Sequence, residues 1–96
     1  METQNNEMIR VFKAFADESR ISILKLLSEG EACAGALLRD LPLTQPTLSH
    51  HMKVLCECGI VKSRKEGTWV YYTIDPGIRN RIDGYIDSIT GEAGKA

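Results

Sequence analysis

Five stretches of this chain repeat apolar residues at helical spacing, and one stretch alternates them at strand spacing. From Asn6 to Ala16, Met8, Phe12 and Phe15 recur with Val11 beside them, which predicts a helix. Asp17 or Ser19 can start a second one, in which Ile21, Leu24 and Leu27 form a row thickened by Ile23 and Leu26. Ser28-Glu29-Gly30 ends it. A shorter third helix is predicted from Ala34 to Leu41, with Leu37, Leu38 and Leu41 apolar and Pro42 as a stop. The fourth starts at Thr44, whose hydroxyl can cap the first turn, and Pro46 falls where a missing N–H costs little. Leu48, Met52 and Leu55 then lie on one edge, and Gly59 closes the helix. The last helix opens at Asp75-Pro76 and carries Ile78, Ile82, Tyr85, Ile86 and Ile89 as a broad stripe.

Between the last two helices the period changes to two. Ile60 to Lys65 and Thr68 to Ile74 read as strands, with Glu66-Gly67 as the turn signal. Alternation puts Val70, Tyr72 and Ile74 on one face and Trp69, Tyr71 and Thr73 on the other. Trp69 or Tyr71 is expected to be a half-buried aromatic of this hairpin. The predicted fold is mainly α with a two-stranded β-wing, in a single domain over residues 1–96, with 1–6 and 91–96 frayed. The third and fourth helices, joined by the short turn at Asp40 to Leu43, form a helix-turn-helix; with the hairpin they make a winged helix-turn-helix.

The outward face of the fourth helix carries the candidate chemistry. Pro46, Thr47, His50 and Lys53 lie opposite the apolar edge, flanked by Gln45 and Ser49. Short donors and a cation suit base edges and phosphates in a major groove. An ordinary solvated face would carry Glu and Lys pairs. Lys62, Arg64 and Lys65 would meet phosphates along the hairpin. The net charge of −1 argues against nucleic acid only until its distribution is examined. From Arg39 to Thr73 the chain carries +2, and from Met1 to Glu18 it carries −2. So modest a basic face calls for two subunits. The long apolar stripe of the last helix is expected to pair with its own copy and with the first helix.

Other classes fit less well. No apolar run approaches the ~18 residues of a membrane span, and the polar N-terminus is wrong for a signal peptide, so a cytoplasmic protein is expected. Three cysteines without a secretion signal do not suggest a disulfide framework. Cys56-Glu57-Cys58 has one intervening residue at a helix end, unlike the two at a helix start in redox enzymes. No catalytic triad or phosphate loop is present, so an enzyme is not expected and no cofactor is required. A winged protein-interaction module without DNA binding remains an alternative, as does a redox-responsive or ligand-independent regulator.

Three segments together resemble the ArsR/SmtB family of metal-sensing winged-helix repressors. They are Phe15-Ala16-Asp17-Glu18-Ser19-Arg20-Ile21 with Ile23-Leu24 and Leu26-Leu27; Gln45-Pro46-Thr47 with Ser49, His51-Met52 and Leu55; and Gly59-Ile60-Val61 with Arg64-Lys65, Gly67, Trp69-Val70 and Tyr72. The likeness spans Ile9 to about Ile89. It implies a homodimer, joined through its first and last helices, that binds double-stranded DNA at an imperfect palindrome and is released by an inducer. It assigns DNA contact to Gln45, Thr47, Ser49, His50 and Lys53, with Arg64 and Lys65 in the wing, and a structural role to His51. The sensor departs from the family. Arsenic-responsive members often carry Cys-Val-Cys-Asp-Leu-Cys where this chain has Cys33-Ala34-Gly35-Ala36-Leu37-Leu38. The zinc and nickel branch uses histidine on the last helix, which here offers only Asp83 and Asp87. The remaining candidate ligands are the thiols of Cys33, Cys56 and Cys58, for an As(III) or Sb(III) inducer. Cys56 and Cys58 would point ~200° apart on a continuous helix, so gripping one ion requires unwinding toward Gly59.

Overall fold

The computed structural model describes residues 2–91. In chain order it contains α1 (Glu2–Phe15), α2 (Glu18–Leu27), β1 (Ala32–Cys33), α3 (Ala34–Asp40), α4 (Gln45–Glu57), β2 (Val61–Glu66), β3 (Trp69–Ile74) and α5 (Ile78–Thr90). The mainly helical fold with a β-hairpin wing is as the pattern implies. Asp17 caps α2 by accepting from the Arg20 backbone N–H at 3.0 Å. Thr44 caps α4, accepting from the Thr47 N–H at 3.3 Å.

Four details differ from expectation. First, α1 begins at Glu2 rather than Asn6, so residues 2–6 belong to the helix; residues 1 and 92–96 lie outside the described residues. Tyr85 on α5 donates to Asn5 Oδ1 at 2.7 Å, and this long-range bond ties down the added turn. Second, Asp75 does not cap α5. Its carboxylate accepts from the Gly77 N–H at 3.2 Å, closing a local turn, and α5 starts at Ile78 with Gly77 as cap. Third, the hairpin turn is Gly67-Thr68, with Gly67 at φ +63° as the first central residue. Fourth, the two-stranded wing gains a short third strand in its sheet. Ala32-Cys33 adds as β1, giving an antiparallel sheet in the order β1-β3-β2.

Sheet register sorts the side chains. Ala32 pairs with Tyr72 and Cys33 with Tyr71, while Ser63 and Arg64 sit opposite the same two tyrosines on the other side. Directly opposed residues share a face. Val61, Ser63, Tyr72 and Ile74 therefore lie on one face, from which Val61, Tyr72 and Ile74 join the core. Lys62, Arg64, Cys33 and Tyr71 lie on the other.

The core is built where the helices converge. Val11, Ile23, Leu37, Leu48, Met52, Leu55 and Ile60 are its fully buried members. The Leu48-Met52-Leu55 edge of α4 is thus fixed inward, which turns its remaining face outward. Gly59, at φ +84°, ends α4 in a conformation that a side chain would strain. Ile9 on α1 and Ile86 and Ile89 on α5 stay exposed, the last two at 41% and 59%. The molecule is 47 Å long and 21 × 20 Å across, with a radius of gyration of 14.9 Å. A compact domain of ~100 residues would have about 13 Å.

Candidate nucleic-acid interface

Gln45, Thr47, Ser49, His50 and Lys53 are all exposed on α4, on the side away from its buried edge. The first turn contains no acidic residue. A helix N-terminus carries partial positive charge and usually attracts Asp or Glu. Pro46 has no N–H, and the Thr47 and Leu48 N–H groups already donate to Thr44, so it is the Gln45 N–H and the uncompensated positive end that an outside anion such as a phosphate would meet. Thr44 Oγ1 donates to Thr47 Oγ1 at 2.9 Å, so the Thr47 hydroxyl accepts internally and keeps its own proton to donate. Among the described residues neither Lys53 nor Lys65 has a carboxylate at ion-pair distance.

Arg64 stands differently. Its guanidinium donates from Nε and one terminal nitrogen to the two oxygens of Glu31, both at 2.8 Å, in a forked pair. Glu66 lies 3.4 Å away, and the group stacks over Tyr71 at 4.6 Å from the ring centre. The Arg64 hydrogen bond holds the Glu31 carboxyl below its usual range, and the pairing raises Arg64 further. This wing cation is therefore already neutralised. It reaches a phosphate only by giving up Glu31. Lys62 is likewise paired, with Asp75 at 3.1 Å. Of the two candidates for a half-buried wing aromatic, Tyr71, under Arg64, is the one, and Trp69 is exposed at 58%. Glu31 was not legible as a functional residue in the sequence, because its link to the wing depends on a strand pairing between distant segments.

His51 is buried at 8% exposure, as a structural histidine should be. Arg20 reaches it: one terminal nitrogen lies 2.9 Å from His51 Nδ1, while Nε donates to the Ala14 carbonyl at 2.8 Å. Arg20 belongs to the segment that carried the family resemblance, yet nothing local in the sequence assigned it a partner.

The three thiols are not brought together within one protomer. Among the described residues no group of three His, Cys, Asp or Glu side chains could hold a metal ion. Cys33 faces the Tyr71 side of the sheet, whereas Cys56 contacts Ser63 on the opposite face. Burial pushes the Cys56 thiol up, against an opposing hydrogen bond with Ser63. Cys58, in contrast, is no longer helical. It is the C-cap of α4, its thiol donating to the Leu55 carbonyl at 3.5 Å. Because the chain leaves the helix there, Cys56 and Cys58 border one cleft of about 300 Å³, with Arg10 of α1 and Arg81 of α5 across it.

Comparison with known proteins places this geometry. Residues 17–63 match the family described as "bacterial regulatory protein, arsR family". An uncharacterised helix-turn-helix-type transcriptional regulator of Methanocaldococcus jannaschii is 49% identical over 74 residues, covering 75% of this chain and 83% of that one. An arsenical resistance operon repressor of Staphylococcus aureus is 43% identical over 76 residues, 79% of this chain and 73% of the repressor. Among solved structures, the homodimeric winged helix-turn-helix DNA-binding domain of a possible ArsR-family regulator from Mycobacterium bovis superposes with a TM-score of 0.77. It is 29% identical, over 96% of this chain and 85% of that one.

Proposed function

This chain belongs to the arsR family of bacterial regulatory proteins, and on that premise we propose that it is a cytoplasmic, homodimeric repressor. Each subunit lays the N-terminal half of α4 into a major groove and its wing along the flanking backbone. The observation that carries this reading is the acid-free, exposed face of Gln45, Thr47, Ser49, His50 and Lys53, fixed outward by the burial of Leu48, Met52 and Leu55. Two copies joined through α1 and α5 would cover Ile9, Ile86 and Ile89 and present two reading helices to an imperfect palindrome. A gel shift with the gene's own upstream duplex tests this reading. Binding that weakens steeply with salt supports it, and no binding at low salt favours a protein-interaction module instead.

The inducer in this reading is a thiophilic trivalent metalloid, arsenite or antimonite, bound by thiolates at the Cys56–Cys58 cleft. The cleft sits where α4 meets α1 and α5, so occupancy there would act on the reading helix and the dimer helices together. Metalloid binding must expel the Cys56 proton, which its burial retains at neutral pH. Arsenite is expected to release DNA from the wild type and to leave it bound by Cys56→Ser and Cys58→Ser. Release unchanged in both variants would end the metalloid assignment. Cys33→Ser shows whether the third thiol takes part from the partner subunit.

The Glu31–Arg64 pair gives a further expectation. Glu31→Gln removes the competing carboxylate and frees a cation for phosphate. DNA affinity should rise severalfold at low salt, and the slope of log affinity against log salt should steepen by about one. Fluorescence anisotropy across a salt series reads both. An affinity that stays the same or falls assigns Arg64 to wing structure alone.

A further inference from the structure

We propose that the Arg20–His51 pair is the positioning contact that seats the reading helix on the rest of the molecule, and that protonation of His51 unseats it. The inference rests on the DNA-binding reading above. Arg20 is held from three directions on the α1–α2 side. Its Nε donates to the Ala14 carbonyl at 2.8 Å, a terminal nitrogen reaches the Lys13 carbonyl at 3.5 Å, and the Asp17 carboxylate lies 3.9 Å away. Its remaining nitrogen crosses to α4, 2.9 Å from His51 Nδ1. One guanidinium thus joins the end of α1, the cap of α2 and the middle of α4.

The chemistry of this contact admits one protonation state. Arginine only donates, so Nδ1 must accept and the ring must be the neutral tautomer with its proton on Nε2. A protonated ring would turn an N–H toward an N–H and set two cations 2.9 Å apart. Arg20 is anchored to two helices, so α4 is the element that gives way. The side chains of α4 that face DNA flank this residue: Ser49 and His50 precede it, and Lys53 follows.

Burial lowers the pKa of His51, opposed by Asp17 and reinforced by Arg20 and His50. The direction fixes the sign of the pH effect. A histidine unfolded at about 6.5 and lower when folded binds more protons in the unfolded state. Its contribution is full above about 6.5 and is lost as pH falls from there through the folded value. Other ionisable groups face the pair. Asp17 is the nearest carboxylate, and its pKa is lowered chiefly by the Arg20 backbone N–H, so it stays charged throughout this window. His50 lies on the exposed side of α4, its ring 5.8 Å from that of His51. Arg10 and Lys13 of α1, with Glu57 and Cys58 of α4, line the groove that Arg20 borders.

The test compares the wild type with His51→Gln from pH 8 to pH 5 at fixed ionic strength. Glutamine offers an amide oxygen to Arg20 and does not titrate. Anisotropy with a labelled upstream duplex should show wild-type affinity falling about tenfold between pH 7 and pH 5.5, and His51→Gln binding without a fall. Arg20→Ala should bind weakly at every pH. Amide hydrogen exchange of α4, measured without DNA and expressed as protection factors corrected for the intrinsic slowing of exchange in acid, should show protection falling with acid in the wild type and not in His51→Gln. This second readout separates the two readings: absence of DNA binding at pH 8 defeats the DNA reading, while exchange in α4 still tests the contact. A wild-type affinity and α4 protection factor independent of pH, or an equal acid loss in His51→Gln, would overturn the proposal. If His51→Gln does not fold, the wild-type imidazole titration decides: a His51 that protonates with no change in α4 protection also overturns it.

Discussion

Exchanging Ile86 and Ile89 together for glutamate is expected to leave a folded monomer whose affinity for the upstream duplex is lower by about 100-fold or more. The two side chains lie three residues apart on α5 and are exposed at 41% and 59%; Ile9 of α1, the helix that meets α5 through Asn5–Tyr85 and Phe12–Tyr85, is exposed as well. Burying a side chain of this kind against a partner contributes about 1.5–3 kcal/mol, and each subunit contributes the same set. A charge in that position removes the gain and adds desolvation. Loss of the second reader then forfeits the effective concentration that linkage supplies, typically a factor of about 10²–10⁴. The fold should survive, because neither residue belongs to the buried core. Sedimentation velocity reads the mass and anisotropy reads the binding. A double variant that remains dimeric would place the interface elsewhere.

Leu55→Ala is expected to lower unfolding stability by about 2–5 kcal/mol, from a total that for a domain of this size is about 5–15 kcal/mol. Leu55 has no exposed surface and sits in the core shared by α4 and the other helices. Urea unfolding at a fixed protomer concentration is the check, because a dimer's stability depends on that concentration. Ile9→Ala, on the exposed face of α1, should cost far less in the isolated protomer. Equal losses from the two would mean that Leu55 does not anchor the reading helix.

The helices were legible because their information is local. Asp17 and Thr44 announce their caps, and the apolar rows of α2 and α4 fix which face turns inward. The outward face of α4 followed from those rows without reference to any other segment. What escaped the sequence depends on contacts between distant residues. Ala32-Cys33 is too short to show alternation, and it becomes a strand only by pairing with Tyr71-Tyr72. The pairing in turn brings Glu31 to Arg64 across 33 positions and neutralises a cation expected to be free. Arg20 and His51, 31 positions apart, were similarly unreadable as a pair. The three thiols could be counted as candidate ligands, and helical spacing already set Cys56 and Cys58 apart unless the chain unwound toward Gly59; Cys33 and Cys56 face opposite sides of one sheet, while the end of α4 lets Cys56 and Cys58 border a common cleft.

The acid-free face of α4 and the exposed dimer helices together make one geometric claim: two reading helices, one DNA turn apart, on one side of a symmetric pair. Hydroxyl-radical footprinting of the dimer on its upstream duplex at low salt tests it most directly. Two protected patches on the same face of the duplex, with centres about 34 Å or ten base pairs apart, are the expected result. A duplex left uniformly cleaved at low salt, or protected in a single patch by the wild-type dimer, would contradict it.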